Sequence, residues 1–493
     1  MRKNLFFVFI TAIIFLFIAC NNDAPGTNDS NIPLNDVDNE NGAETPAEPE
    51  ELKPDLPDLD MNGKEMKILT ADWWGYSPFD FVDIDPEGYN GEVLNDAAYE
   101  RKLKIEQQYN IQIKQTEMPL VNAADSLRNA VMAGDDAYDI AFIRGWNISG
   151  LLSGNNYLLN LAEFPHVNFD MPWWKKDAYD AFAIGGKNYG VIGSMSTNDM
   201  MTMWGLCFNK EMVKDYGFES PYSLFQNGDW TYDRVVEMAK TVSRDLDGDG
   251  IMTKDDLWGI NYTDETLIGI LNSAGVKIAE LDNNGIPVIT INNETSITRI
   301  QNIYTKLFDS SYSGETLRSM KLDGRDALIF SDNRCLFLFT AFHTINALRA
   351  ADVNFGIVPY PKYDKTQENY YPYTMGINIP WIVVPATNKD IENTAVFMEA
   401  FAYEGYKSVV PAFYDIILMG KLARDDESAE MLEYLYKNIR YDTGNLFNFG
   451  DFTSKLFGMA NTADTNIVSM LEKNLPVLQK GIDQILEQIE KSE

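Results

Sequence analysis

Histidine and cysteine are nearly absent from this chain. Its 493 residues include two histidines, His166 and His343, and three cysteines. So few histidines exclude a histidine-built metal centre and most histidine-dependent catalysis. Cys207 and Cys335 have neither metal-ligand nor redox spacing and read as isolated, buried thiols. Basic residues are scarce as well: 40 Lys and Arg stand against 74 Asp and Glu, a formal charge of −34. A field of that sign excludes nucleic acid and anionic lipid as partners but leaves neutral ligands open. There is no serine nucleophile elbow, zinc motif or P-loop. Internal repeats and β-sandwich patterning are missing too, which argues against a calcium-stabilised adhesion protein.

What is present begins with Arg2 and Lys3, followed by an apolar run from Leu5 to Ala19 and then Cys20. A basic flank and a run this short form an export signal, since a spanning helix needs about 20 apolar residues. The stretch "LFIAC" resembles the lipobox of bacterial lipoproteins. That resemblance implies cleavage after residue 19 and a lipid anchor on Cys20. From Asp23 to Asp60 the chain carries twelve acids against Lys53 alone, with prolines between them and little to bury. Residues 20–62 are therefore expected to form a disordered acidic linker.

From Lys64 the pattern alternates. "KEMKILTAD" reads as a strand, "NDAAYERKLKIEQQY" as a helix, "NIQIKQTEM" as a strand, "ADSLRNAVMAGD" as a helix closed by Gly134, and "YDIAFIRGW" as a strand. This order predicts an α/β fold with a mainly parallel sheet, whose ligands gather beyond the carboxyl ends of the strands. Those ends carry Asp72, Trp73 and Trp74, then Arg144 and Trp146. A second α/β region follows, and some 430 residues suggest two lobes. The pattern places amphipathic helices over "NKDIENTAVFMEAFAYE", "DESAEMLEYLYKNIR" and, after Pro476, "VLQKGIDQILEQIEK".

Several segments in order carry a family resemblance. "GKNYGVIGSM…MWGLCFNKEMVKDYGFESP…DWTYDRVVEMAKTVSRDLDGDG", "RCLFLFTAFHTINALRAADVNFGIVPYPKYD" and "GINIPWIVVPATNKDIENTAVFMEAF" resemble the family 1 extracellular solute-binding proteins of bacterial carbohydrate importers. Gly193 stands where proline is usual, and "CFNK" replaces the commoner "YNK". The resemblance implies a two-lobed, type II periplasmic-binding-protein-like fold with a ligand cleft between lobes. One lobe would span 63–195 and 377–415, the other 196–376 and 416–493. It further implies a monomer tethered through Cys20 to the outer face of the cell membrane, which captures a carbohydrate, expected to be an oligosaccharide, for an ABC transporter permease. A secreted glycoside hydrolase is the alternative, and it would need two placed carboxylates. With 74 acids some pair would always fit, so their presence does not discriminate.

Sugars offer apolar C–H faces to aromatic rings and hydroxyls to paired donors and acceptors. The candidate ligand-binding set is Asp72, Trp73, Trp74, Arg144, Trp146, Asp199, Trp204, Phe342, His343, Trp381 and Tyr414. Thr263 and Asp264 join it as the contribution that the resemblance implies from the second lobe. "WW" at Trp173 and Trp174 reads either as a cleft rim or as a loop packed on its lobe. Within "RDLDGDGIMTKDD", Asp245, Asp247 and Asp249 occupy alternate positions before Gly250. The Ile251 carbonyl, Thr253 and Asp256 would complete a calcium shell of hard oxygens. The loop is unpaired and followed by a strand-like segment, so the ion is expected as a structural Ca2+ clip.

Overall fold

The computed structural model describes residues 52–72, 84–153, 157–263, 265–315, 328–348, 351–416, 425–462 and 466–491. The alternation after Lys64 is realised as β1 (Lys64–Asp72), a helix Val93–Tyr109, β2 (Ile111–Pro119), a helix Ala123–Ala133 and β3 (Ile140–Arg144). β1 is central and runs parallel to both neighbours. Its Met66, Ile68 and Leu69 are fully buried, as a parallel strand covered by helices requires. Gly134, in the left-handed conformation, closes the second helix where the sequence places the stop.

The second lobe is built on β4 (Met203–Asn209), β5 (Trp258–Tyr262), a small hairpin of β6 (Ala279–Leu281) and β7 (Pro287–Ile289), β8 (Ser313–Glu315), β9 (Cys335–Ala341) and β10 (Phe355–Val358). Its sheet has the order β10-β4-β9-β5-β8, and the short β11 (Tyr373–Thr374) pairs with the start of β4. β4 is antiparallel to β9 and β10, whereas β5 is parallel to β8 and β9. All seven residues of β4 and all seven of β9 are buried. Cys207 and Cys335 lie within these strands as free, buried thiols.

β12 (Pro380–Val383) leaves the second lobe and returns to the first, where it lies antiparallel to β3 with Trp381 opposite Ile143. The chain thus crosses between lobes ahead of β4 and again between β11 and β12. The helix Ile391–Glu404 continues through a π-helical turn, Gly405–Val409, into a helix Val410–Ile416, and all three pack on the helix Val93–Tyr109. Beyond these, the helix Asp426–Lys437 packs on β10 and β4.

The first crossing is anchored from below. Arg101, buried on the first helix, donates from Nη1 to the carbonyls of Ser194 and Met195 and lies 3.8 Å from the Phe401 ring centre. Gly193 belongs here because a Cβ would overlap the Trp174 ring. The C-terminal helix differs from the sequence reading, which starts it after Pro476. It runs from Ile467 to Lys491 straight through that proline. Leu471, Leu478, Ile482, Ile485 and Ile489 form one buried stripe across the interruption. Burial of that stripe outweighs the hydrogen bond lost at proline.

Candidate functional site

β1 and β3 are parallel neighbours, so Asp72 and Arg144 emerge on the same edge of the first sheet. Asp72 accepts the Leu120 N–H at 2.7 Å and thereby ties the end of β2 to β1. Arg144 directs its Nε and Nη2 to Asn378 Oδ1, on the crossing segment before β12. Its guanidinium carbon lies 5.4 Å from the centre of the half-buried Trp146 ring. Desolvation pulls the Arg144 pKa down, and the charge of Glu265, just beyond the end of β5, opposes that pull. A cation of the first lobe therefore feels an anion of the second.

A denser cluster lies nearer the crossings. Lys175 follows the buried Trp174, and its Nζ sits 3.3 Å from the Tyr436 ring centre. Tyr436, on the helix that packs against β4, meets Tyr414 edge-on at 5.2 Å. Burial lowers the Lys175 pKa to about 8, and the residue as a whole is half-buried. Asp199, just before β4, is 5% exposed, and among the described residues its Oδ2 has no hydrogen-bond partner. Burial raises the Asp199 pKa against the pull of Lys175. The pKa values of Tyr414, Tyr436 and Tyr441 all rise through burial, and the Asp199 charge adds to each shift.

Asp199 is thus the shared neighbour of one ammonium and three phenols. Its interaction with Lys175 is through space, with no ion pair between them among the described residues. A buried carboxylate oxygen without a donor costs about 1–3 kcal/mol. In chemical terms, a sugar hydroxyl can donate to a carboxylate and accept from an ammonium, and sugar C–H faces suit aromatic rings.

Other candidates lie elsewhere. Trp204, Phe342 and Trp381 are core residues and do not line the site. They are 3%, 1% and 0% exposed, because each stands in or against an interior strand. Trp381 stacks on Phe182 at 4.1 Å and turns Nε1 toward the Gly376 carbonyl. Trp173 and Trp174 are a packed loop: Trp174 Nε1 donates to the buried Glu399 at 2.8 Å, and Trp173 packs on Tyr403. Thr263 is buried beyond β5, and its N–H donates to Thr266 Oγ1. Trp73, Trp74, Asp264 and the side chain of His343 lie outside the described residues.

Lys175, Tyr436 and Tyr441 are absent from the sequence-derived set. The lysine hides beside the tryptophan pair in "MPWWKKDAY". Tyr436 belongs to a helix whose amphipathic pattern announces packing alone. A signal was present in "LYKNIRYD", two tyrosines flanking a helix end, but spacing cannot say which faces a cleft.

In the calcium-like loop, carboxylate oxygens of Asp245, Asp247 and Asp249 all lie within 4.8 Å of one another. Asp245 accepts the Gly248 and Gly250 N–H groups at 2.7 Å, and these bonds hold its pKa down. The Asp249 N–H pulls Asp247 the same way, but slight desolvation and the charges of Asp249 and Asp245 outweigh it and raise its pKa. That like-charge crowding is what a cation would relieve, and the hard-oxygen triad fits calcium. Asp256 stands apart from the triad. It is buried, with Oδ1 accepting Leu246 N–H at 2.8 Å and Oδ2 accepting Thr253 N–H at 2.6 Å. It clamps the ends of the loop. Ile251 is exposed, and its N–H donates to Asp249 Oδ1.

No family model matches this chain, and no curated sequence matches it. Solved structures do. An ABC substrate-binding protein from Listeria monocytogenes, in complex with cycloalternan, is 16% identical over 87% of this chain and 99% of its own, with a TM-score of 0.51. A cyclo/maltodextrin-binding protein complexed with maltotetraose is 13% identical over 88% and 98%, with a TM-score of 0.53. The apo form of RafE from Streptococcus pneumoniae is 14% identical over 85% and 98%, also at 0.53. Identities this low carry the architecture alone. With its two sheets, its crossing segments and these matches over nearly the full length of each neighbour, the chain has the two-lobed α/β fold of type II solute-binding proteins.

Proposed function

We propose that this protein is an exported, lipid-anchored solute-binding protein. It captures a carbohydrate in the cleft between its lobes and delivers it, untransformed, to an ABC transporter permease. The observation that carries the reading is the donor-starved Oδ2 of buried Asp199, held opposite Lys175 and among Tyr414, Tyr436 and Tyr441. Such an arrangement suits a polyhydroxylated ring, which brings donors, acceptors and C–H faces together. The names of the structural neighbours, which include maltotetraose and cycloalternan complexes, point to the same ligand class.

Arg144 and Glu265 offer further polar groups from opposite lobes. A ligand that touches both lobes favours the closed state by its differential contacts, and closure is a hinge motion at the crossings. The Asp245, Asp247 and Asp249 triad would hold Ca2+ as a static brace for its loop. Cys20 would carry the lipid, with the acidic linker as the tether.

The test is titration with an oligosaccharide panel, read by tryptophan fluorescence and melting temperature, with X-ray scattering of the free and saturated protein. Saturable binding with a smaller radius of gyration is expected. A panel that leaves both signals unmoved, or new reducing ends after incubation with the best ligand, refutes the reading.

A further inference from the structure

On the second lobe lies a polar groove of about 450 Å³, with no residue of the cluster around Asp199 in its lining. Its lining includes Lys277, Arg299, Arg440 and Tyr371, together with Glu280 and Glu368. Three cations in one groove stand out in a chain of net charge −34. Three other half-buried arginines find acids: Arg128 pairs with Asp125, Arg234 with Glu237 and Arg334 with Asp255. Arg440 does not. Its guanidinium carbon lies 3.9 Å from the Tyr371 ring centre, and among the described residues no carboxylate pairs with it. Glu368 lines the same groove without pairing with it.

Each cation is fixed by something other than the groove's acids, apart from Lys277, which pairs with Glu280 at 2.8 Å. Arg299 donates from Nη1 to the Ala274 carbonyl at 2.6 Å and lies over the Tyr363 ring at 5.0 Å. A guanidinium over a tyrosine ring can still direct N–H donors outward, and a fork of such donors grips an oxyanion. Backbone pairing fixes the position of Arg440, since its N–H donates to the Pro372 carbonyl at 3.0 Å.

We propose that this groove is a second binding site, for the oxyanion of a small carboxylate-, sulfate- or phosphate-bearing solute, with Arg440 as the principal donor and Arg299 and Lys277 beside it. The site is separate from the carbohydrate cleft, so it stands or falls independently of that reading.

The test uses the full chain with inorganic phosphate, sulfate and acetate, each at constant ionic strength against chloride, by calorimetry and thermal shift. At least one oxyanion should bind saturably and raise the melting temperature, and the three arms identify which geometry is preferred. Arg440→Gln should weaken that binding about tenfold or more, because a charge-assisted fork is lost. Arg440→Lys, which keeps the charge but not the fork, should fall between. Arg299→Gln provides a second variant should Arg440→Gln unfold, as judged by circular dichroism. Absence of saturable binding by all three anions overturns the proposal. So does an affinity unchanged in a folded Arg440→Gln or Arg299→Gln variant.

Discussion

Replacing Asp199 with Asn keeps the shape of the side chain and removes its charge, so it separates recognition from packing. In the wild type the carboxylate is buried and Oδ2 lacks a donor, so the unliganded fold bears an unfavourable term there. A sugar hydroxyl that donates to this oxygen makes a charge-assisted hydrogen bond, worth about 1.5–3 kcal/mol. The amide accepts more weakly and presents an N–H where the ligand also donates. Asp199→Asn should therefore weaken binding roughly 10- to 150-fold, measured by calorimetry with the best ligand from the panel. Stability should move the other way. Burial raises the folded-state pKa of Asp199, so the folded protein holds its proton more tightly than the unfolded chain. The stabilisation from that proton is complete at low pH and is lost as pH rises from the ordinary Asp range through the raised folded value. Melting at pH 7 should accordingly be equal or higher in the variant, and the two curves should converge in acid. An Asp199→Asn protein that binds within twofold of wild type refutes the placement of the site. One that melts well below wild type at pH 7 refutes the account of its burial.

Lys175→Met should weaken ligand binding while leaving the fold intact. Its folded pKa of about 8 lies below the ordinary lysine value, so wild-type stability should gain between pH 8 and 10.5, a gain that titration melts of the methionine variant should lack. Asp247→Ala should lower the melting temperature in calcium to the value in chelator. With an extracellular-grade affinity, saturation at 100-fold over the dissociation constant would add about 2.7 kcal/mol, and identical wild-type melts with and without calcium would show the loop to be a turn. Cys20→Ser should abolish lipid labelling and release the protein from the membrane fraction, whereas unchanged retention would dismiss the anchor.

Fold class was legible because strand and helix periods alternate cleanly from Lys64 onward. Gly134 ended its helix where residue chemistry placed the stop. The site was harder to read. Strand ends pointed to Asp72 and Arg144, but half of Asp72 serves the scaffold through Leu120. A tryptophan in an apolar strand looks the same in sequence whether it faces a cleft or a core, and Trp204 and Trp381 turned out to face the core. Lys175, Asp199 and Tyr436 come from three segments more than 20 residues apart. Only tertiary folding brings them together, so although Asp199 was a candidate on its own, no spacing could have announced the cluster. Pro476 misled for the opposite reason: a strong local signal was overridden by the burial of a continuous apolar stripe.

The π-helical turn Gly405–Val409 is a matter of counting. Such a turn holds one residue more than an α turn, and each residue advances a helix by about 100°. Everything downstream, including Tyr414, is therefore rotated by that single surplus residue relative to an uninterrupted helix. Upstream the segment cannot slide to compensate, because a Cβ at Gly405 would already overlap the Ser194 carbonyl. The aromatic wall beside Asp199 is thus set by the number of residues between Glu404 and Tyr414 more than by their identity. Substitutions across 406–409 leave that number alone. Loss or gain of one residue there would turn Tyr414 off Tyr436 without changing the identity of any residue in the wall.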